Sequence, residues 1–247
     1  MENGKLRVDR CQPCVKGRSR WTLVSTFFVF VLIFLFACCR QKDDYQLFVI
    51  PDTLELHTGD IAFRTGESMV SRSVTSVDTA GVYSHVGMVI WHDHQWCVLH
   101  AVPNERATKT EKDSVKMEPI GVFFRSDRAV QGCICRLPLA PEDTQKLLKK
   151  GEAIYSRKLL FDKSFDDQDT TAFYCSELVW FLYQRALDID LTRGRRHRLP
   201  FFPPLIFCSD LHSYPGLHEI YHVLLPSKKI EKNDCMEDLY IFAALLF

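Results

Sequence analysis

The chain has 247 residues, with 31 basic and 31 acidic side chains, and 47% of it is apolar. Those proportions suit a folded protein and exclude a disordered, collagen-like or polytopic membrane chain. Balanced charge gives no long-range pull on polyanions, so nucleic acid is not an expected partner.

The first feature in chain order is a leader. Lys16, Arg18 and Arg20 precede a nearly unbroken apolar stretch, Trp21 to Ala37, which ends in Cys38 and Cys39. A spanning helix needs about 20 apolar residues and a secretory h-region roughly 7 to 15, and this stretch falls between them. Its ending, Leu35-Phe36-Ala37-Cys38, resembles a bacterial lipobox, in which the cysteine is cut and acylated. Phe36 is bulkier than that pattern prefers, which leaves Cys39 as a second acceptor and an uncleaved anchor as the plainer reading. We expect residues 1–39 to be a lipoprotein-type signal peptide, 40–52 a charged tether and 53–247 one folded catalytic domain. The tether opens with Arg40-Gln41-Lys42-Asp43-Asp44, a solvated run that also resembles the lysine-plus-acid signal of some Gram-negative surface lipoproteins. The expected location is the cell envelope, outside the cytoplasm and attached to a membrane by an N-terminal lipid.

Within the domain, His57-Thr58-Gly59-Asp60 reads as a turn into a strand, Ile61 to Arg64, followed by a polar, weakly helical segment through Asp78. Two β-rich runs, His85 to Trp91 and Trp96 to Ala101, flank His92-Asp93-His94-Gln95, which has the length of a hairpin loop. Another strand is expected over Gln131 to Leu137. Pro141, with Glu142 and Asp143 in the first turn, opens a helix through about Tyr155, striped by Leu147, Leu148, Ala153 and Ile154. The Asp-rich stretch Lys163 to Thr171 leads to a second helix, Cys175 to Leu187. The proline-rich Pro200 to Pro204 precedes a last strand, Glu219 to Leu225. Strands and helices mix without regular alternation, which predicts an α+β fold.

Exported compartments permit disulfides, but the distribution of the ten cysteines argues against a framework. Cys11 and Cys14 fall in the leader, and Cys38 and Cys39 at the proposed lipid site. Of the remaining six, Cys133 and Cys135 face one side of a strand, where a mutual bond would be strained. Cys97, Cys208 and Cys235 are expected, with them, to be buried small apolar groups, although a single pair is compatible with the sequence.

Cys175 differs because Phe173-Tyr174-Cys175-Ser176-Glu177-Leu178-Val179 places it in the first turn of a helix. Free backbone N–H groups and the macrodipole favour a thiolate there. A free thiol with a pKa of about 8.5 is only slightly ionised at neutral pH, and such a helix position lowers it. A cysteine in an apolar helix is usually core, so a base is needed to make it a nucleophile. His85 heads the strand Tyr83-Ser84-His85-Val86-Gly87-Met88-Val89-Ile90, where a ring can protrude into a cleft. If Trp91 pairs with Trp96, then Gly87 lies opposite His100, and His85 and His100 are diagonal neighbours on one face. Diagonal separations of about 7 to 8 Å are within reach of two imidazoles, and Gly87 leaves the space open. A three-residue loop would flip the register and destroy the relationship.

Thr58-Gly59-Asp60-Ile61, Ser84-His85-Val86-Gly87-Met88 and Tyr174-Cys175-Ser176-Glu177-Leu178-Val179 together resemble the YiiX/YebB-like group of circularly permuted papain-like (NlpC-related) enzymes. The resemblance spans about residues 55 to 225. It implies an NlpC-type fold in which an antiparallel sheet or half-barrel packs against helices, with the histidine strand preceding the cysteine helix. It also implies Cys175 as nucleophile, His85 as general base and a third, orienting polar residue. Relatives often carry a Glu on the second strand, in a sequence like "LEA"; here the stretch is Leu99-His100-Ala101, so His100 takes the role, with Glu105 in reserve. The backbone N–H of Cys175 is the expected oxyanion donor, with Tyr83 or Tyr174 as side-chain candidates. No metal or cofactor is required.

Other features carry less. His92, His94, Cys97 and His100 contain zinc-ligand types, but hairpin geometry opposes their convergence. Arg193-Gly194-Arg195-Arg196-His197-Arg198 reads as a solvated loop with an option on anionic headgroups or cell-wall material, and Asp166, Asp167 and Asp169 as another solvated loop. The apolar end, Leu239 to Phe247, is too short to cross a bilayer and is expected to dock on the core. The expected activity is a cysteine hydrolase, an amidase or peptidase acting on a peptide or cell-wall peptide. The alternatives are a lipid acyl hydrolase or acyltransferase on the same Cys and His, and a non-catalytic surface module that binds a ligand.

Overall fold

The computed structural model describes residues 45–225, apart from 104, 106–111, 168 and 201. The leader, its candidate lipid cysteines, the charged run 40–44, Cys235 and the apolar end at 239–247 lie outside the described residues. Among the described residues no helix is long and apolar enough to cross a membrane.

Among the described residues, eight strands form one sheet: β1 (Ile61–Thr65), β2 (His85–His92), β3 (Gln95–Val102), β4 (Ser114–Pro119), β5 (Gln131–Arg136), β6 (Leu160–Phe161), β7 (Ala172–Phe173) and β8 (His218–Leu224). Their order is β7-β6-β4-β3-β2-β1-β5-β8, antiparallel throughout except for the short parallel pair β6–β7. Helices α1 (Met69–Val77), α2 (Ile120–Phe123), α3 (Pro141–Ser156), α4 (Cys175–Leu187) and α5 (Cys208–His212) complete an α+β fold.

Alternation along the strands gives the sheet two apolar faces. One buries Ile61, Phe63, Met88, Ile90, Leu99 and Cys133 with Leu147 of α3 and Leu178, Val179 and Leu182 of α4. The other collects Ala62, Val89, Val98 and Ile134 around Phe123 and Phe124. Residues 45–52, expected to belong to the tether, lie against this second face: Gln46 N–H donates to Ser126 Oγ at 2.8 Å, and the Phe48 ring meets Phe124 edge-on. Apolar Phe48 and Ile50 override the polarity that the preceding charges suggest.

The hairpin that carries the histidines is a two-residue turn. Asp93 and His94 both adopt left-handed backbone, with φ of 48° and 61°, and Trp91 pairs with Trp96. A turn with two left-handed central residues matches the right-handed twist of the strands, which pins the register. Thr58-Gly59-Asp60 forms a fixed corner at the start of β1. Gly59 has φ of 99°, Arg136 Nε and Nη2 each donate to the Asp60 carboxylate at 2.7 Å, and the Tyr183 hydroxyl donates to the Gly59 carbonyl. This motif is therefore structural, joining α4 to the sheet.

Candidate functional site

Cys175 is the first residue of α4, and its neighbours hold that helix end in place. Tyr174 is the extended N-cap, and its backbone N–H donates to the buried Glu177 carboxyl at 3.1 Å. Burial, reinforced by the charges of Asp162 and Asp167, pushes Glu177 up to about 9 despite that hydrogen bond, so the cap is a neutral acid. Ser176 Oγ donates to the Ile206 carbonyl at 2.7 Å, and the Ile206 N–H donates to the Tyr174 hydroxyl at 3.0 Å. With both backbone groups of Ile206 engaged by the cysteine motif, the segment leading into α5 is fixed beside Cys175.

That placement brings in a second thiol. The Cys175 thiol is held well below the ordinary range, first by a hydrogen bond from Cys208 and, against burial, by the hydrogen bond and charge of His85. Cys208, the first residue of α5, is pushed up by the same contact, which makes its S–H the donor. Sequence reading had Cys208 as an apolar core group; it is buried as expected, but its sulfur is spent on Cys175.

On the opposite wall, His85 Nε2 lies 2.8 Å from His100 Nδ1, and His100 Nε2 lies 3.1 Å from Glu118 Oε1. Arg128 Nη1 donates to both Glu118 oxygens, at 2.8 and 3.0 Å. Burial opposes ionisation of Glu118, but the hydrogen bond and charge of His100 and the Arg128 guanidinium hold it well below the usual carboxylate range. The ionised carboxylate only accepts, so the network assigns the His100 proton to Nε2 and leaves Nδ1 to accept from His85 Nε2–H. The free nitrogen of His85, Nδ1, is then the acceptor for its hydrogen bond with Cys175. Burial, followed by the Arg64 guanidinium, lowers His85 to about 4, so at neutral pH its ring takes no proton from solvent and carries charge only while it holds the Cys175 proton. Phe123 closes the back, stacked on His85 and edge-on to His100.

The structure thus brings Cys175, His85 and His100 together. It places Glu105 one step aside, hydrogen-bonded to the Arg64 guanidinium and 3.2 Å from Arg128. Arg64 also donates to the Phe123 carbonyl at 2.5 Å. Tyr83 is directed elsewhere, its hydroxyl hydrogen-bonded to Cys133, whereas Tyr174 lines the cleft. Glu118, Arg128, Arg64 and Cys208 were missed by sequence reading. Arg64 alone left a trace, a charge inside an otherwise apolar strand.

A cleft of about 590 Å³ opens over Cys175 and His85, walled by Arg64, Val102, Phe161, Phe165 and Tyr174. Charges at its rim are largely paired: Lys163 lies 3.2 Å from Asp113, and Arg125 donates to Asp127 at 2.5 Å. The acidic and basic runs that the sequence presents as separate solvated loops meet, with Arg196 Nε donating to Asp167 at 2.6 Å. His92 packs against Tyr155 and exposed His94 sits in the turn, while His100 is buried against Glu118 and Cys97 lies on the other face of its strand, so those four side chains are divided among different surroundings.

Comparison with known proteins shows relatives in both sequence and fold. The chain is 28% identical over 147 residues to the uncharacterized protein YiiX of Escherichia coli (strain K12), a match covering 59% of this chain and 65% of that relative's length. It shares its fold with the crystal structure of the metalloprotein yiiX from Escherichia coli O157:H7, at a TM-score of 0.56 and 22% identity over 68% of this chain and 98% of that one. Residues 55–196 match the model of the permuted papain-like amidase enzymes, YaeF/YiiX, C92 family, and the chain belongs to that family.

Proposed function

We propose that this protein is a cell-envelope cysteine amidase whose nucleophile is Cys175, whose base is His85 and whose orienting residue is His100, acting on a peptide or cell-wall peptide. The observation that carries the reading is the hydrogen-bonded series from the Cys175 thiol through His85 and His100 to Glu118. His85 Nδ1 takes the thiol proton as sulfur attacks the carbonyl carbon. The negative charge that develops on the carbonyl oxygen is met by the Cys175 backbone N–H at the start of α4. The Tyr174 hydroxyl, which already accepts from Ile206, keeps its own proton as a second donor. His85 then protonates the leaving amine, the C–N bond breaks, and an acyl-thioester is left on Cys175. Water, deprotonated by His85, releases the acid and restores the thiol. Glu118 balances the imidazolium through His100.

A cleft that sets paired charges and serine hydroxyls beside the apolar walls Val102, Phe161 and Phe165 accommodates an amide-bearing chain with an apolar side chain. The apolar stretch at 21–37 and its cysteines support attachment at the envelope. The test offers peptidoglycan-derived peptides and phospholipid vesicles separately to the full chain in detergent. Amine release with a trapped acyl-Cys175, absent in Cys175→Ala and His85→Ala, is the expected result. Fatty acid release from the vesicles would favour a lipid acyl hydrolase, and an unreactive Cys175 would leave a binding module.

A further inference from the structure

Beyond β1, on the side away from His85, β5 carries a second group of soft donors. Cys133 and Cys135 project from the same face with their sulfurs 3.5 Å apart. His212, the last residue of α5, brings a ring nitrogen to them, and the three donor atoms lie within 4.8 Å of one another. Among the described residues this is the one place where three histidine, cysteine or carboxylate ligands converge so closely.

The surroundings resemble those of a built site. Both sulfurs are buried free thiols, while His212 is exposed and gives an entry path. Its ring stands edge-on to Phe63 and Tyr83, both 5.1 Å away between centroids, so packing sets its orientation. The Tyr83 hydroxyl hydrogen-bonds Cys133, the kind of outer contact that orients a metal ligand. Helix α5 is itself anchored, since Ser209 N–H donates to Asp78 at 3.0 Å and Phe207 N–H to Asp210 at 2.9 Å.

Two thiols and an imidazole suit a borderline-soft cation and not Mg²⁺ or Ca²⁺. Tetrahedral zinc, with Zn–S of about 2.3 Å and Zn–N of about 2.0 to 2.1 Å, needs ligand separations of roughly 3.5 to 3.8 Å. The sulfurs already stand that close at 3.5 Å, and with all three donors within 4.8 Å the imidazole needs to approach by no more than about 1 Å. We propose that Cys133, Cys135 and His212 bind one Zn²⁺ ion, with water in the fourth position, and that the ion ties α5 to β5. Binding replaces two S–H bonds by two Zn–S bonds and releases two protons, with no change of oxidation state. Because α5 begins at Cys208, the ion would hold the second thiol against Cys175 without entering the chemistry.

Cobalt(II) titration of the full chain in detergent tests this, with Cys11 and Cys14 replaced by serine in every protein compared so that the leader offers no thiol pair. The expected result is one equivalent of cobalt with thiolate charge-transfer absorption, displaced by zinc. Cys133→Ser/Cys135→Ser should lose that absorption. His212→Ala, an exposed change that keeps the circular dichroism and melting of the parent, should bind at least about tenfold more weakly. Failure of the parent to bind cobalt, an unchanged absorption in the double serine variant, or unchanged affinity in His212→Ala would each overturn the site.

Discussion

His85 Nε2 and His100 Nδ1 stand 2.8 Å apart, and this contact decides which nitrogen of His85 faces the sulfur. One proton occupies the gap, and the carboxylate of Glu118 on the far side of His100 assigns it to His85. Removing His100 frees the tautomer of His85 without touching Cys175. His100→Ala is expected to lower kcat by about 10² or more while KM changes little, and Glu118→Gln by a smaller factor. Steady-state kinetics on any accepted amide checks both; equal effects on kcat and KM would point to general damage to the fold.

The His85 imidazole, lowered to about 4 by burial and Arg64, has a consequence in acid. As general base it keeps working well below the ordinary imidazole range, so the acid limb of kcat/KM should fall near pH 4 and not near 6.5. The same shift enters stability with a defined sign. Between the unfolded value of about 6.5 and the folded value of about 4, the unfolded chain holds a proton that the folded one refuses, so stability is lost as pH drops through that window. Melting temperatures of the parent and His85→Gln across pH 4 to 7 should show a shallower slope in the variant.

Cys208 offers a separable effect on the nucleophile. Its S–H donates to Cys175, so Cys208→Ala should move the pH midpoint of Cys175 alkylation by iodoacetamide upward, while Cys208→Ser, which keeps a donor, should restore part of the shift. Mass spectrometric counting of modified Cys175 against pH reads this directly. An identical midpoint in all three proteins would remove Cys208 from the site.

Glu177 titrates in the opposite direction. It folds as a neutral acid held up to about 9, against an unfolded value of 4.5, so its contribution is complete below the lower value and is lost as pH rises through the upper one. Glu177→Gln retains an acceptor for the Tyr174 N–H and removes the titration. The variant should match the parent near pH 5 and melt higher near pH 9, as followed by circular dichroism.

The histidine hairpin was legible in the sequence but its register was conditional: a three-residue loop would have flipped it, and the pairing of Trp91 with Trp96 is what puts Gly87 beside His100. The cysteine helix was legible to the residue, Cys175–Leu187, since its apolar period begins immediately after the motif. β4 was not: Ser114–Pro119 alternates apolar Val115 and Met117 with Lys116 and Glu118, in a region dominated by charge. Glu118 reads there as a solvated acid. Its role depends on β4 pairing with β3, which sets His100 across from Lys116 and leaves Glu118 diagonal to the ring. Helix α5 was equally hidden, because five residues hold too little periodicity to be seen.

The amino-acid sequence by itself determined the histidine hairpin, the two long helices and the order of histidine before cysteine, since these are written in local periodicity and turn chemistry. Tertiary structure alone decided what surrounds the sulfur. Cys208, Glu118, Arg64 and Arg128 come from four separate segments with no shared spacing, and they acquire meaning only when the sheet order and the docking of α5 desolvate them together. Burial strengthens every charge and hydrogen bond in that small volume, and burial is a property of the assembled molecule and not of any stretch of chain.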